Sequence, residues 1–316
     1  MCSAYTPLQL SRYLEYLSLP SQYDAYQQNP QSFPKTAAAL KTLFRCQVTR
    51  FPYENLTLHY PGTQVVNINP TPIYEKVMGL ENGSPTKRGG YCLEVSIFFN
   101  HVLRGLGFDV YMTGVRNRQR IDGIPQGEYR GWTHIVNIVR LPSGSEYHVD
   151  AAFGGDGPVS PLPLISGQVT RNLGNQEVRL VQDNISKQSR AEQKVWIYQY
   201  RNAPDKPWNA FYCFAELEFF QDDFEVINRF TSWEAIEKGN VVVKFIRNKE
   251  IDELPFGDSI VAENANADDE IYVVGKLMMV DNVVKVNMGG RTRVVDSFHT
   301  KEEKIRGIRK WFSISF

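Results

Sequence analysis

The stretch Thr86-Lys87-Arg88-Gly89-Gly90-Tyr91-Cys92-Leu93-Glu94-Val95-Ser96-Ile97-Phe98-Phe99 joins a basic pair and two glycines to an apolar run. Glycine is disfavoured inside a helix whereas Leu93 to Leu103 suits one, so the boundary falls at the cysteine and Cys92 stands in the first helical turn. Unpaired backbone amides and the positive end of the helix dipole there favour a thiolate and can hold a developing oxyanion. Downstream, His134 lies in Gly131-Trp132-Thr133-His134-Ile135-Val136 and Asp150 in Tyr147-His148-Val149-Asp150-Ala151-Ala152-Phe153-Gly154. Thiol, imidazole and carboxylate are the parts of a cysteine nucleophile with its base and its orienting acid. Singly, each has a plainer reading: free cysteine is among the most buried residue types, and a histidine sharing a strand face with Trp132, Val136 and Ile138 suits a core. Cys46, Cys213 and the near-terminal Cys2 lack the Gly-Gly setting and are read as ordinary cysteines.

Asp150 is harder to explain away, because a carboxylate flanked by Val149 and Ala151 in a strand needs a partner to offset its desolvation. Leu141-Pro142-Ser143-Gly144-Ser145-Glu146 is a turn, which makes the two segments a hairpin. With a two-residue turn at Ser143-Gly144, alternation puts Asp150 and His134 on opposite faces. With a three-residue turn over Pro142-Ser143-Gly144, position 134 faces 152, and Asp150 becomes a same-face diagonal neighbour of His134, about 7 Å away at the Cα. An odd-length turn or a bulge is therefore expected.

The 316 residues are 42% hydrophobic and 12% aromatic, enough for a large core in two or three modules. Lys plus Arg equals Asp plus Glu at 35 each, which gives no argument for nucleic acid, a membrane surface or a polyanionic partner. No apolar run approaches the ~18 residues of a membrane span, and Met1-Cys2-Ser3-Ala4-Tyr5-Thr6 does not open a leader, so a cytoplasmic protein is expected. Four cysteines without paired spacing suggest free thiols and no metal site.

Helical periodicity marks Pro7 to Leu17 and Lys35 to Phe44. From Phe108 alternation takes over, with strands expected at 108–113, 132–141, 147–152, 177–181, 194–200, 240–245, 270–274 and 283–286. Short helices are expected at 222–229 and 232–238, and a basic one at 301–306. Asn172 to Asn175 reads as a loop, and Asn202 to Pro207 as a loop or module boundary. The aromatic C-terminus, Trp311, Phe312 and Phe316, suggests docking.

Arg88-Gly89-Gly90-Tyr91-Cys92-Leu93-Glu94, the earlier Arg50-Phe51-Pro52-Tyr53-Glu54-Asn55-Leu56, the His134 segment and Asp150-Ala151-Ala152-Phe153-Gly154, in this order and spacing, resemble the arylamine N-acetyltransferases of eukaryotic, fungal-like type. The likeness is strong over residues 45 to 170 and weak beyond 235. It implies an α+β fold with a cysteine-protease/transglutaminase-like core: a helical bundle over residues 1–105 carrying the nucleophile, an antiparallel β-barrel over 106–204 carrying the histidine and aspartate, and an interdomain segment with an α/β lid over 205–316.

The resemblance also implies ping-pong transfer of an acetyl group from acetyl coenzyme A, through a thioester on Cys92, to an arylamine, arylhydroxylamine or arylhydrazine. His134 and Asp150 take the other two catalytic roles. By family position, Gly154, Gly155, Phe230, Thr231 and Ser232 fall where relatives contact coenzyme A, and Tyr53 and Val178 where they line the acceptor pocket. Gly154-Gly155 is equally read as a simple turn. Two departures stand out: Tyr91 replaces the bulky residue, often tryptophan, that many relatives place before the cysteine, and Ala152 replaces a glycine. The main alternative donor is malonyl coenzyme A, whose carboxylate would want a cation, with Arg116, Arg118 and Arg179 as candidates. A papain- or transglutaminase-like hydrolase and an inactive binding scaffold are more remote alternatives. Composition sets no oligomeric state.

Overall fold

Thr6 accepts a hydrogen bond from the Gln9 amide while the Gln9 side chain returns one to the Thr6 amide, and Pro7 follows; this capping box starts α1 (Pro7–Leu17). Thr36 caps α2 (Ala37–Arg50) by accepting a single hydrogen bond from the Ala39 amide at 3.2 Å. The computed structural model describes residues 2–60, 62–253 and 271–315. With α3 (Pro70–Val77) and α4 (Cys92–Gly105), these helices pack around Tyr13, Phe44, Phe51, Phe98 and Phe99, each at most 1% exposed.

The strands in chain order are β1 (Tyr53–Glu54), β2 (Leu80–Glu81), β3 (Ser84–Pro85), β4 (Asp109–Asn117), β5 (Gln119–Ile121), β6 (Ile124–Gln126), β7 (Trp132–Arg140), β8 (Glu146–Val149) and β9 (Leu162–Pro163). There follow β10 (Val169–Arg171), β11 (Glu177–Asp183), β12 (Val195–Arg201), β13 (Asn209–Phe214), β14 (Val241–Arg247), β15 (Val273–Val280), β16 (Val283–Asn287) and β17 (Arg293–Ser297). Eight of them form an antiparallel sheet in the order β10-β11-β12-β13-β4-β7-β8-β9. It curls into a nearly closed barrel: the segment after β9 reaches back to β11, where the Gly167 amide donates to the Leu180 carbonyl at 2.8 Å. Val136, Ile138, Tyr198 and Tyr212 fill its interior.

The second sheet, β1-β14-β15-β16-β17, packs on α6 (Lys301–Phe312) through Val242, Leu277, Val284, Trp311 and Phe312. The C-terminal aromatics thus dock as expected, and Ile314 is buried with them; Phe316 lies outside the described residues.

Several expectations need correction. The proline-rich stretch from Asn202 to Pro207 is the loop between β12 and β13, so the barrel continues past residue 204 to Phe214. The two helices expected at 222–229 and 232–238 are one, α5 (Gln221–Glu237) with Lys238 as its C-cap, because no glycine or proline interrupts it and the Thr231 hydroxyl is absorbed by donation to the Ile227 carbonyl at 3.0 Å. Residues 119–126, outside the expected strands, form the β5–β6 hairpin. The expected strand at 270–274 begins only at Val273, and Glu270 lies outside the described residues.

Candidate active site

Cys92 occupies the first position of α4 and is 8% exposed. Two glycines bring it there. A side chain on Gly89 would meet the Pro52 carbonyl at 1.8 Å, and one on Gly90 would meet Glu94 at 2.7 Å. This closeness lets the Glu54 amide donate to the Gly90 carbonyl at 2.9 Å, tying the approach to Cys92 to β1 and thus to the second sheet. Beneath it lies a buried charge cluster. Glu54, fully buried, accepts from Arg88 Nε at 2.9 Å and the Leu56 amide at 2.7 Å, with Lys76 Nζ at 3.3 Å. Burial alone would raise its pKa, but Lys76 and Arg88 outweigh that and hold it down to about 2. Glu94 links the same Lys76, at 2.9 Å, to the Tyr91 amide, at 3.0 Å, and so caps α4.

The β7–β8 hairpin decides where the acid sits. The Leu141 amide donates to the Ser145 carbonyl at 2.9 Å, which encloses the three-residue turn Pro142-Ser143-Gly144. Asn137 pairs with Val149 and Ile138 with His148, the register that faces position 134 toward 152. Asp150 and His134 therefore share a face, and His134 Nε2 lies 2.9 Å from Asp150 Oδ2. The other ring nitrogen takes no part in that bond, and His134 lines one cavity with Cys92. Burial would depress the His134 pKa; the charge and hydrogen bond of Asp150, and then the neighbouring Cys92, override it and raise it to about 10. Desolvation pushes Asp150 up, but His134, His148 and the Ala152 amide together leave it lowered. Burial drives Cys46 up to about 11 and Cys213 up to about 12, which suits inert thiols.

Two residues in this network have no local signal in the sequence. The Tyr212 hydroxyl, from β13, donates to Asp150 Oδ2 at 2.9 Å and lies 2.8 Å from His148 Nε2. Because the single hydroxyl proton goes to the carboxylate, the His148 ring donates to the tyrosine oxygen; burial lowers the His148 pKa to about 4 and keeps that ring neutral.

A cavity of about 180 Å³ opens beside Cys92 and His134, lined also by Tyr53, Asn117, Thr133, Phe153, Thr231, Glu234 and Lys238. A β-bulge shapes it: Val115 pairs with His134 and Arg116 with Trp132, so Thr133 is unpaired in the ladder and both it and His134 face the cavity. Across the mouth Glu234 bridges Arg130 Nη1 at 2.5 Å and Lys238 Nζ at 3.1 Å.

Tyr53 and Thr231 line this cavity, whereas the remaining expected ligand contacts do not. Val178 is fully buried in the barrel core with Tyr198 and Phe211, because β11 lies two strands away from β13. Ser232 is turned inward, bonded to Asn228 Oδ1 at 3.2 Å and the Val66 amide at 3.3 Å. Phe230 is 42% exposed and stands beside Trp233, with ring centroids 5.9 Å apart. Gly154 needs its glycine for a φ of +75°; Gly155 packs on Met278 and accepts a hydrogen bond from Lys276 of β15. None of the three arginines considered for an acyl carboxylate reaches the cavity: Arg116 stacks on Trp132 at 3.9 Å, Arg118 donates to the carbonyls of Gly127 and Ala210, and Arg179 stacks on Trp208 at 4.1 Å.

Among the described residues no cluster of three or more potential ligands suits a metal ion, and no helix is long and apolar enough to cross a membrane.

A sequence profile of the N-acetyltransferase family matches residues 36–237. N-malonyltransferase FDB2 of Gibberella moniliformis is 28% identical, over 98% of this chain and 89% of its own. An arylamine N-acetyltransferase / N-hydroxyarylamine O-acetyltransferase of Salmonella typhimurium is 28% identical over 62% of this chain and 61% of its own. Among solved structures, the arylamine N-acetyltransferase of Mycobacterium abscessus superposes with a TM-score of 0.71 at 19% identity, covering 98% of this chain and 90% of that one. That of Mycobacterium marinum in complex with CoA gives 0.70 at 20% identity, covering 96% and 92%. Profile and fold agree, and the chain belongs to the arylamine N-acetyltransferase family of acyltransferases.

Proposed function

We propose that this protein transfers an acetyl group from acetyl coenzyme A, through a thioester on Cys92, to the nitrogen of an arylamine, arylhydroxylamine or arylhydrazine. The observation that supports the reading is that Cys92 and His134 line one cavity, with Asp150 bonded to the imidazole. A cationic imidazole beside the sulfur favours attack as thiolate. The Cys92 sulfur attacks the thioester carbonyl, the first amides of α4 steady the oxyanion, and His134 gives its proton to the departing coenzyme thiolate. The amine then attacks the acyl-enzyme while His134 takes its proton. Aromatic amines suit this step, being neutral and nucleophilic at pH 7.

For the coenzyme, we place the adenosine end near the exposed Phe230–Trp233 pair at the cavity mouth and the pantetheine past Thr231. Ser232 and Val178 are left out of the ligand contacts on the geometry above, and the Gly154-Gly155 turn is kept as a wall of the approach beside Tyr53. Acetyl is favoured over malonyl because Lys238, the cation lining the cavity, is already paired with Glu234, as is Arg130. The malonyl alternative rests on the full-length similarity to N-malonyltransferase FDB2. Intact-protein mass spectrometry after separate exposure to acetyl and malonyl coenzyme A tests both. A Cys92 adduct from acetyl coenzyme A, discharged by an arylamine and absent in Cys92→Ala, is the expected result; no adduct from either donor rules the function out.

A further inference from the structure

His148 lies inside the barrel, 0% exposed, and the acyl-transfer steps make no use of it. On β8 it pairs with Ile138 of β7, and Asp150 follows two residues on, on the same face of the chain. Its ring stacks on Phe214, with centroids 5.2 Å apart and planes at 26°, and Tyr198 flanks it at 6.3 Å and 18°. An apolar side chain would fill that space without burying polar nitrogens, so packing does not explain the imidazole. Its hydrogen bonding does. Nε2 lies 2.8 Å from the Tyr212 hydroxyl, which reaches Asp150 Oδ2 at 2.9 Å, whereas Nδ1 has no hydrogen-bond partner among the described residues. Tyr198 does not compete for that bond, because its hydroxyl donates to the Asp156 carbonyl at 3.0 Å. The carboxylate is the stronger acceptor, so the tyrosine proton goes to Asp150 and the His148 proton sits on Nε2, directed at the tyrosine oxygen. The other tautomer would bury a bare N–H at Nδ1 and take the tyrosine proton away from the carboxylate.

We propose that His148 is a positioning residue for acyl transfer: by donating from Nε2 to the Tyr212 oxygen it commits the tyrosine's own proton to Asp150, and so holds the carboxylate that orients His134. This rests on the acyltransfer reading above and extends its hydrogen-bonded chain to His134, Asp150, Tyr212 and His148. A hydroxyl whose oxygen accepts a bond becomes a better donor, with a gain of about 10–30% per bond. The Tyr212 proton therefore draws more charge from Asp150 than it would alone, and Asp150 in turn holds the His134 proton less tightly than a bare carboxylate would. His148 thus tempers the base as well as fixing its partner. The other titratable and charged groups that face this chain are Tyr198 of β12, against Asp150, and Tyr53, Tyr91, Cys92, Glu234 and Lys238 around the cavity onto which His134 opens. Among the described residues none of these is hydrogen-bonded to His148, so its replacement is read through Tyr212.

The experiment follows the His134 ring by NMR in protein carrying isotope-labelled histidine, titrated without an acyl donor, in the native protein, His148→Phe and His148→Gln. In His148→Phe, which keeps the stacking and loses the donor, the His134 titration midpoint is expected to rise by about 0.5 pH unit, a roughly threefold gain in proton affinity. The basic limb for acetylation of Cys92 by acetyl coenzyme A moves up with it. Glutamine places an N–H where Nε2 stood, so His148→Gln is expected to bring both back to the native values. An unmoved His134 midpoint in His148→Phe overturns the assignment and leaves His148 as packing alone. A lowered midpoint also overturns it, because it shows that the ring was accepting the tyrosine proton and that its loss released that proton to Asp150. Should the phenylalanine variant not fold, His148→Met is judged by the same criteria. The ring titration needs no turnover, so a native protein in which His134 responds as expected while Cys92 is never acetylated sinks the acyltransfer reading and leaves the order of donors and acceptors standing.

Discussion

His134 Nε2 sits 2.9 Å from Asp150 Oδ2 because the hairpin between them turns in three residues and not two. One residue more or less in that turn would send the carboxylate to the other sheet face. The electrostatics of the site follow from this pairing.

Asp150→Asn removes the charge that overcomes burial at His134. The imidazole pKa, held at about 10, then falls by about 1–3 units. The basic limb of the pH profile for Cys92 acylation is expected to move down correspondingly. A group whose pKa is raised on folding stabilises the fold fully below its unfolded pKa, near 6.5 here, and loses that contribution as pH climbs through about 10. Thermal stability of the native protein should therefore decline between those values, and less steeply in Asp150→Asn. A basic limb that does not move would show that Asp150 has no hold on the ring.

Tyr212→Phe deletes the hydroxyl that donates to Asp150 and accepts from His148. With two buried groups each short of a partner, stability should drop by about 1–3 kcal/mol, measured by urea unfolding. Acylation at neutral pH should slow as Asp150 loses its fixed orientation. A variant as stable and as fast as the native protein would contradict this.

Glu54→Gln tests the charge cluster beneath Cys92. Loss of one partner of a buried ion pair costs about 3–5 kcal/mol. Since the folded Glu54 pKa is depressed to about 2 from an ordinary 4.5, its contribution is complete above 4.5 and vanishes as pH falls through 2. The acid-unfolding curve of the variant should be flatter over that interval, and superimposable curves would remove Glu54 from the account.

Glu234→Gln releases Arg130 and Lys238 from their shared carboxylate. The mouth becomes more positive, and the ratio of kcat/KM for malonyl over acetyl coenzyme A should rise about three- to tenfold. Comparison of the two donors in native and variant protein measures it, and an unchanged ratio would place the acyl tail elsewhere.

Much of the site was legible because its signals are local. Two glycines before an apolar helical run mark a helix start at Cys92, and a Pro-Ser-Gly turn between alternating segments marks a hairpin whose odd length brings His134 and Asp150 together. Val178 misled because family position carries no knowledge of how many strands separate β11 from the cavity. The division of α5 into two helices failed for another reason: the polar residues Thr231 and Ser232 weaken helical periodicity, yet they satisfy their hydroxyls within the helix.

Sequence alone determined what neighbours along the chain decide: the helices read from periodicity, the thiol at a helix N-terminus, and the turn that joins the histidine and aspartate strands, whose three-residue length the structure then fixed. Only the tertiary structure decided which distant strands flank them. β13 enters the barrel beside β4, which delivers Tyr212 to Asp150 and sets Asn117 next to His134, while β1 crosses to β14 and ties the Cys92 approach to the second sheet. Such pairings depend on sheet order among segments about a hundred residues or more apart, and no local period or turn records it.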